Sequence, residues 1–236
     1  MKVALLVVAT WKYDKFIGNI LESAEKYFLK DCDVKYHLFI SGNGISVPFT
    51  AITKFKRHYV KHKAWPFATL NRYHFFKQYE SDLQVYDYLF YIDVDTLFTA
   101  PITSEILSDR TAVQHCGFVN VRGSYETNPK STSYVAKNEG THYFGGGFWG
   151  FSNTEFWKFI NKAVDMIDTD KANGIIPVHN DESVLNRYLI DNPPTLILSP
   201  SYHYPQSELP YYKKIWKRDY ECKILLLDKN HEEIRK

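Results

Sequence analysis

Apolar positions along the chain switch between two periods, and the switches mark out the elements. Residues 3–9 form an unbroken β-branched and aliphatic run, the pattern of a strand covered on both faces. Phe16, Ile17, Ile20, Leu21, Ala24, Tyr27 and Phe28 then recur at helical spacing and predict a helix beside that strand. Residues 34–40 read as a second strand ending at a Ser-Gly-Asn-Gly turn over 41–44, and residues 52–60 as a third, more exposed one. After Trp65-Pro66, the residues Phe67, Leu70, Tyr73, His74 and Phe75 are candidates for one helix face. Residues 88–92 make a short, very apolar strand that stops at Asp93-Val94-Asp95. Strand–helix–strand alternation of this kind predicts a mainly parallel α/β sheet. Ligands gather at the carboxyl ends of such strands, so Asp93 and Asp95 stand where a site is expected.

The second half is less regular. Residues 122–140 are polar and loop-like. Gly145, Gly146 and Gly147 either let the backbone approach something closely or make a tight turn. Phe156, Phe159, Ile160, Ala163, Val164 and Ile167 predict an amphipathic helix, and residues 180–189 another. No internal repeat, low-complexity tract or linker interrupts the 236 residues, which fit one domain or two halves sharing a core.

Composition narrows the function. The chain is 17% aromatic, and such rings suit sugars and bases as well as core packing. Its 29 basic and 27 acidic residues leave a net charge of +2, too balanced for a nucleic-acid binder. The C-terminus is locally basic, with Lys213, Lys214, Lys217, Arg218, Lys223, Lys229, Arg235 and Lys236. That run is either a solvated tail or a phosphate-facing arm. Cys32, Cys116 and Cys222 have neither pairing arithmetic nor metal-ligand spacing and point to a reducing compartment. The first apolar run is too short to span a membrane and lacks a cleavage site. With neither anchor nor signal, a cytoplasmic location is expected.

Two acidic pairs are candidates for chemistry. Asp93 and Asp95, one residue apart at a strand end, can turn toward a single hard cation such as Mn2+ or Mg2+. A metal there would serve a diphosphate, but also a phosphoesterase. Asp181-Glu182 either offsets a helix dipole or meets a substrate. Zinc-protease, serine-hydrolase, P-loop and dinucleotide signatures are all missing from the sequence.

Six segments, taken in order, carry a resemblance that single motifs do not. They are ATWKYDKF with LESAEKYFL, WPFATLNRYHFF, YLFYIDVDTLF, SYETNPKSTSYVAKNEGTHYFGGGFWG, HNDESVLNRYLIDNPPTLILSP and DKNHEEIRK. Together they resemble glycosyltransferase family 6, which includes the histo-blood-group A and B transferases and α-1,3-galactosyltransferase, over nearly the whole chain. The resemblance implies a GT-A fold, an α/β Rossmann-like mixed sheet flanked by helices. It implies one catalytic domain over 1–236, with a nucleotide-binding half in 1–100. The acceptor-binding half in 101–236 would carry the basic C-terminal arm. The implied activity is retaining α-1,3 transfer of N-acetylgalactosamine or galactose from a uridine diphosphate (UDP) sugar to a galactose-terminated oligosaccharide. Mn2+ or Mg2+ is the implied cofactor.

Residue by residue, Tyr13 matches the ring that stacks on uracil, beside Ala9 and Thr10. Arg72 matches a donor-contacting arginine, and Asp93 and Asp95 the metal pair. Phe144, Gly145 and Gly146 match the sugar-selecting triplet, in which Gly146 leaves space at carbon 2 and favours N-acetylgalactosamine. Asn180 and Asp181 fall among the donor contacts, and Glu182 beside the anomeric carbon, as the catalytic group next to the acceptor. His115 matches an acceptor-binding histidine. Lys229 and Arg235 match tail residues that close over the diphosphate.

Several positions depart from the family pattern. His179-Asn180 stands where most members read Trp-His, Pro205 replaces an acceptor-binding aspartate, and Trp149 and Phe151 replace small residues. Both Asp93 and Asp95 are kept where some short bacterial members carry Asn-x-Asn and need no metal. Without the cytosolic tail, anchor and stem of animal members, the chain resembles the short bacterial or phage-borne type. Asn180 supports the alternative of a sugar-nucleotide or glycan binder that has lost turnover.

Overall fold

The computed structural model describes residues 1–42, 54–207 and 209–235. Part of the expected turn at 41–44 and the first residues of the expected strand at 52–60 lie outside them, as does the side chain of Arg235. The predicted first strand is β1 (Lys2–Ala9), whose Val3–Val7 run is fully buried. The helix that follows is α1 (Ile17–Tyr27), which buries Ile17, Ile20, Leu21 and Ala24 against the sheet. Next come β2 (Asp33–Ile40) and β3 (Phe55–Tyr59). The segment after Trp65 is not one helix but three short ones, α2 (Phe67–Leu70), α3 (Arg72–Gln78) and α4 (Glu80–Leu83). Strand β4 (Tyr88–Asp93) leads directly into β5 (Thr96–Phe98).

Beyond the first hundred residues lie β6 (Arg110–Gln114), β7 (Phe144–Ser152), α5 (Asn153–Ala172) and α6 (Asp181–Asp191). The chain continues through β8 (Leu196–Leu198), β9 (Tyr204–Pro205), α7 (Leu209–Trp216), β10 (Ile224–Leu226) and α8 (His231–Arg235). Seven strands form one mixed sheet in the order β3-β2-β1-β4-β7-β6-β8. Only β7 runs antiparallel to its neighbours. Helix α1 covers one face, while α3, α5 and α6 pack the other around Phe156, Phe159, Ile160 and Leu185. Burying each large apolar side chain contributes about 1.5–3 kcal/mol. This is the Rossmann-like mixed sheet flanked by helices that the resemblance implied.

Topology then gathers the site. The order leaves β1 toward β2 on one side and β4 on the other, and crevices at such switch points take ligands. Val8 is in register with Asp93, so the residues just past Ala9 lie beside the end of β4. Because β7 is antiparallel to β4 and Ile92 pairs with Phe148, the start of β7 brings its three glycines to the same end. Those glycines are therefore strand residues, and the tight-turn reading is corrected. A Cβ on Gly145 would stand 2.5 Å from the His203 ring, so close approach is their role. A second small sheet, β5-β10-β9, returns the C-terminal segment to the first half. There the Leu227 N–H donates to the Asp95 carbonyl at 3.0 Å.

A buried chain of rings ties the edge strands to α4. His37 Nδ1 and His58 Nε2 lie 2.8 Å apart, and His37 Nε2 is 2.8 Å from the Tyr86 hydroxyl. Burial and the neighbouring His58 hold His37 down at about 3, and burial holds His58 at about 4 despite Asp82. The unfolded chain takes up these protons near 6.5, so the stability from the neutral pair is complete above that value. It is lost as pH falls from about 6.5 toward 3–4, each ring costing up to about 1.4 kcal/mol for every tenfold rise in proton concentration. Urea midpoints measured from pH 7 to 4.5 should fall steadily, and the His37→Phe/His58→Phe double variant should flatten that slope.

Candidate active site

The crevice at the sheet's carboxyl end is a cavity of about 400 Å³, in the range of small-molecule sites. Its wall holds Thr10, Tyr13, Arg72, Asp93, Asp95, Gly146, Asn180, Asp181, Glu182 and Lys229 among the residues expected from sequence. Ala9 is buried at the end of β1 and does not line it. Neither do Phe144, whose ring packs into the core, and Gly145, which lies against His203. His115 also stands outside the wall, packed on the rings of His203 and Tyr143.

Arg72 opens α3 and is the cationic hub. Its Nη1 lies 3.3 Å from Asp93 Oδ1 and 3.1 Å from Asp181 Oδ2, and its guanidinium sits 4.3 Å above the Tyr91 ring. Burial works against its charge, but Asp181, Tyr91 and Asp93 more than offset that. The Tyr91 hydroxyl donates to Asp93 Oδ1. Lys229 reaches from the C-terminal segment to Asp95 Oδ2, with its ammonium 5.3 Å from the Tyr13 ring centroid. Burial lowers the ammonium's pKa, but Asp95 and Asp93 hold it above the ordinary lysine value. Burial and Asp93 push the Asp95 carboxyl up, against the pull of Lys229.

The other acidic pair heads α6, as the helix-dipole reading expected, and both residues also line the cavity. Glu182 Oε2 accepts the Gly146 N–H at 2.8 Å, and Oε1 accepts the Tyr143 hydroxyl at 2.7 Å. Those two donors fix the carboxylate's direction, while burial raises its pKa. Asn186 braces the arrangement, accepting the Phe144 N–H at 2.9 Å and donating to the Phe144 and Glu182 carbonyls. Residues 179–182 form a β-turn closed by the Glu182 N–H on the His179 carbonyl at 3.1 Å. Asn180 occupies its first central position at φ 51°, ψ −121°, where glycine is favoured. A non-glycine residue there stores about 1–3 kcal/mol, and the turn aims both acids into the cavity.

Burial raises the Asp181 carboxyl to about 6, with Arg72 opposing. Its folded pKa exceeds the unfolded value, so its contribution to stability is present below about pH 4 and lost as pH rises through 6. Ligand contacts need the ionised form, which disappears in the opposite direction. The kcat/KM profile should therefore fall below about pH 6, and Asp181→Asn should remove that limb.

The carboxylates also test whether a divalent cation fits. Among the described residues lining the cavity, Asp93, Asp95, Asp181 and Glu182 face the cations Arg72 and Lys229, a formal excess of two negative charges. Asp93 Oδ2 looks toward Gly147, where a Cβ would come within 3.3 Å of it. Arg72 Nε is buried without a partner among the described residues, a donor that a ligand oxygen would satisfy. Hard carboxylate oxygens suit Mn2+ or Mg2+, which retain sites for phosphate and water. The residues fit the cation, provided Lys229 releases Asp95.

Across the whole chain the comparison is decisive. The family model described as glycosyltransferase family 6 matches residues 1–236. The chain belongs to glycosyltransferase family 6. A chicken (Gallus gallus) relative, globoside alpha-1,3-N-acetylgalactosaminyltransferase 1, is 30% identical over 244 residues, 100% of this chain and 69% of its own. Rat (Rattus norvegicus) histo-blood group ABO system transferase 1 is 34% identical over 247 residues, covering 99% of this chain and 68% of its own. The Escherichia coli O-antigen biosynthesis glycosyltransferase WbnI is 25% identical over 237 residues, 98% of this chain and 97% of its own. The chain spans only 60% of the dog and human globoside relatives. As a family 6 glycosyltransferase it has a GT-A-like fold, and no helix among the described residues is long and apolar enough to cross a membrane.

Sequence reasoning missed several cavity residues of this glycosyltransferase. Trp11, half exposed at φ 58°, stacks on His62 with ring centroids 5.5 Å apart, and His62 Nδ1 lies 3.1 Å from the Thr10 hydroxyl. His203 and Trp65 also line the wall. Only the run of aromatic residues near Thr10 and Trp65 hinted at them. Tyr143 was visible two residues before the glycines, but its bond to Glu182 was not.

Proposed function

We propose that this glycosyltransferase moves N-acetylgalactosamine, or galactose, from a UDP donor to a galactose-terminated glycan through an α-1,3 bond with retention. The observation that carries the reading is Glu182, pinned by the Gly146 N–H and Tyr143 hydroxyl beside Asp181 and Arg72 in the cavity. A binder that had lost turnover has no use for a carboxylate aimed this way. The name of the chicken relative, an alpha-1,3-N-acetylgalactosaminyltransferase, supplies the sugar and linkage classes.

In this reading residues 1–100 form the nucleotide half, with Tyr13 under the uracil and Ala9 and Thr10 at its edge. Residues 101–236 form the acceptor half with its C-terminal arm. Asp93 and Asp95 would hold Mn2+ or Mg2+, which when bound would supply positive charge to a diphosphate leaving group. Arg72 holds Asp93 and Asp181 in place and adds fixed positive charge at the leaving group. Asp181, with Asn180, grips the donor sugar's hydroxyls. Glu182 stabilises the positive charge that develops at the anomeric carbon as the bond to phosphate breaks. Lys229 and Arg235 close over the diphosphate and exclude water. His115 meets the acceptor.

Gly146 governs the sugar's room. A Cβ there would lie 3.3 Å from Glu182 Cβ and 3.6 Å from Asp181 Oδ2. Gly146→Ala should cut N-acetylgalactosamine transfer more than galactose transfer, by about 10–200-fold in the ratio of kcat/KM. The direct test incubates the chain with each UDP-sugar and a panel of galactose-terminated acceptors, with manganese or chelator. UDP release and product mass are read together. Metal-dependent addition of one sugar is expected, and donor binding without release or product would instead support the binder.

A further inference from the structure

Behind the wall formed by His203 lies a cluster of which the proposed transfer uses only His115. His115, Cys116 and His203 each bring one donor atom to within 4.8 Å of the others. His115 and Cys116 follow β6, and His203 precedes β9, so strand ends fix all three. Cys116 and His203 are buried at 2% and 6% exposure. His203 Nδ1 has no hydrogen-bond partner among the described residues, an unsatisfied group inside the fold. The two imidazole centroids stand 4.7 Å apart at 43°. Two rings on one tetrahedral zinc, at bonds of about 2.0–2.1 Å, would place theirs about 5 Å apart. The Tyr212 hydroxyl bonds to the Cys116 sulfur, as an outer partner that would orient a thiolate.

We infer that His115, Cys116 and His203 form a binding site for a borderline-soft divalent cation of the Zn2+ class, separate from the hard carboxylate pair. One thiolate and two imidazoles are the donors such an ion prefers, whereas Asp93 and Asp95 suit Mn2+ or Mg2+. On binding, the Cys116 thiol gives its proton to solvent as the sulfur–metal bond forms. Both rings donate lone pairs, and nothing is oxidised. The ion displaces one hydrogen bond, from the Gly117 N–H to His115 Nδ1 at 2.9 Å. A fourth position stays open to water.

Resting on the proposed function, occupation withdraws His115 from the acceptor and stiffens His203 in the cavity wall. Zn2+ is then an inhibitor competitive with the acceptor and not with the UDP-sugar.

The test titrates the full chain with Co2+ and follows its absorption, then measures Zn2+ affinity by competition with a metal-binding dye. Wild type should show a sulfur-to-cobalt charge-transfer band and tetrahedral visible bands. Cys116→Ser should lose the charge-transfer band and bind Zn2+ at least about a hundredfold more weakly. Asp93→Asn/Asp95→Asn should keep both features. Near-ultraviolet circular dichroism checks that each variant is folded, and Cys116→Ala serves if the serine variant is not. A cobalt complex without the thiolate band, or equal Zn2+ affinity in the folded cysteine variant, overturns the site. Because binding is read without turnover, Cys116-dependent metal in a chain that transfers no sugar would sink the proposed function alone. Transfer without Cys116-dependent metal would sink the site alone.

Discussion

Glu182→Gln lowers kcat by about 10²–10⁴-fold while leaving the fold and donor binding nearly intact. The glutamine is close in shape, and the local bonds can be remade. Its carbonyl accepts the Gly146 N–H, and its amide donates to the Tyr143 oxygen after that hydroxyl rotates. What disappears is the negative charge that the proposed function sets beside the anomeric carbon. The measurement is a pair of single-turnover rates with UDP affinity determined in parallel. A large loss of rate at constant affinity is the signature of a group that acts in the transition state. Tyr143→Phe should give a smaller loss, because it frees the carboxylate's direction without removing its charge.

Arg72→Ala has the largest expected effect on stability. The guanidinium is buried between Asp93 and Asp181, so its removal strands the buried Asp181 and leaves the part-exposed Asp93 without its cation. Breaking a buried pair from one side costs about 3–5 kcal/mol. The loss has a pH signature. Asp181 already titrates at about 6, and without the cation its pKa rises further. The folded variant then holds a proton that the unfolded chain lacks, so its stability recovers as pH falls through that raised value and is lost as pH rises. Urea unfolding at pH 5 and pH 8 checks this: the gap from wild type should be wider at pH 8. Arg72→Lys keeps a charge but not the planar guanidinium that covers the Tyr91 ring, and should lie between the two.

The parts of this molecule legible from sequence are those specified locally. The run at Val3–Val7 had to be buried on both faces, and Asp93-Val94-Asp95 stood at an abrupt strand end. The head of α6 was legible as acidic, but its second role needed Gly146 and Tyr143, some forty residues earlier in the chain. Strand β7 hid behind its glycines, which weaken strand propensity. Burial between two layers overrides that weakness, because Gly150 makes room for Phe90 and Gly145 for His203. Lys229 reaches Asp95 only because β10 pairs with β5, a contact across more than a hundred residues that leaves no local period. His203 left no signal at all, as a lone histidine in a polar stretch. The segment after Trp65 misled for a simpler reason: Phe67 and Leu70 sit on α2 and Tyr73, His74 and Phe75 on α3, rather than along one helix.

The central claim is that this cavity transfers a sugar with retention, using Glu182 on the face where charge develops. The anomeric proton coupling of the product tests it most directly, measured by nuclear magnetic resonance on glycan made with the preferred UDP-sugar. An α-linked sugar from the α-configured donor, formed by wild type and lost in Glu182→Gln, is the predicted result. A β-linked product, or an α-linked one formed equally fast without the Glu182 charge, would contradict the account.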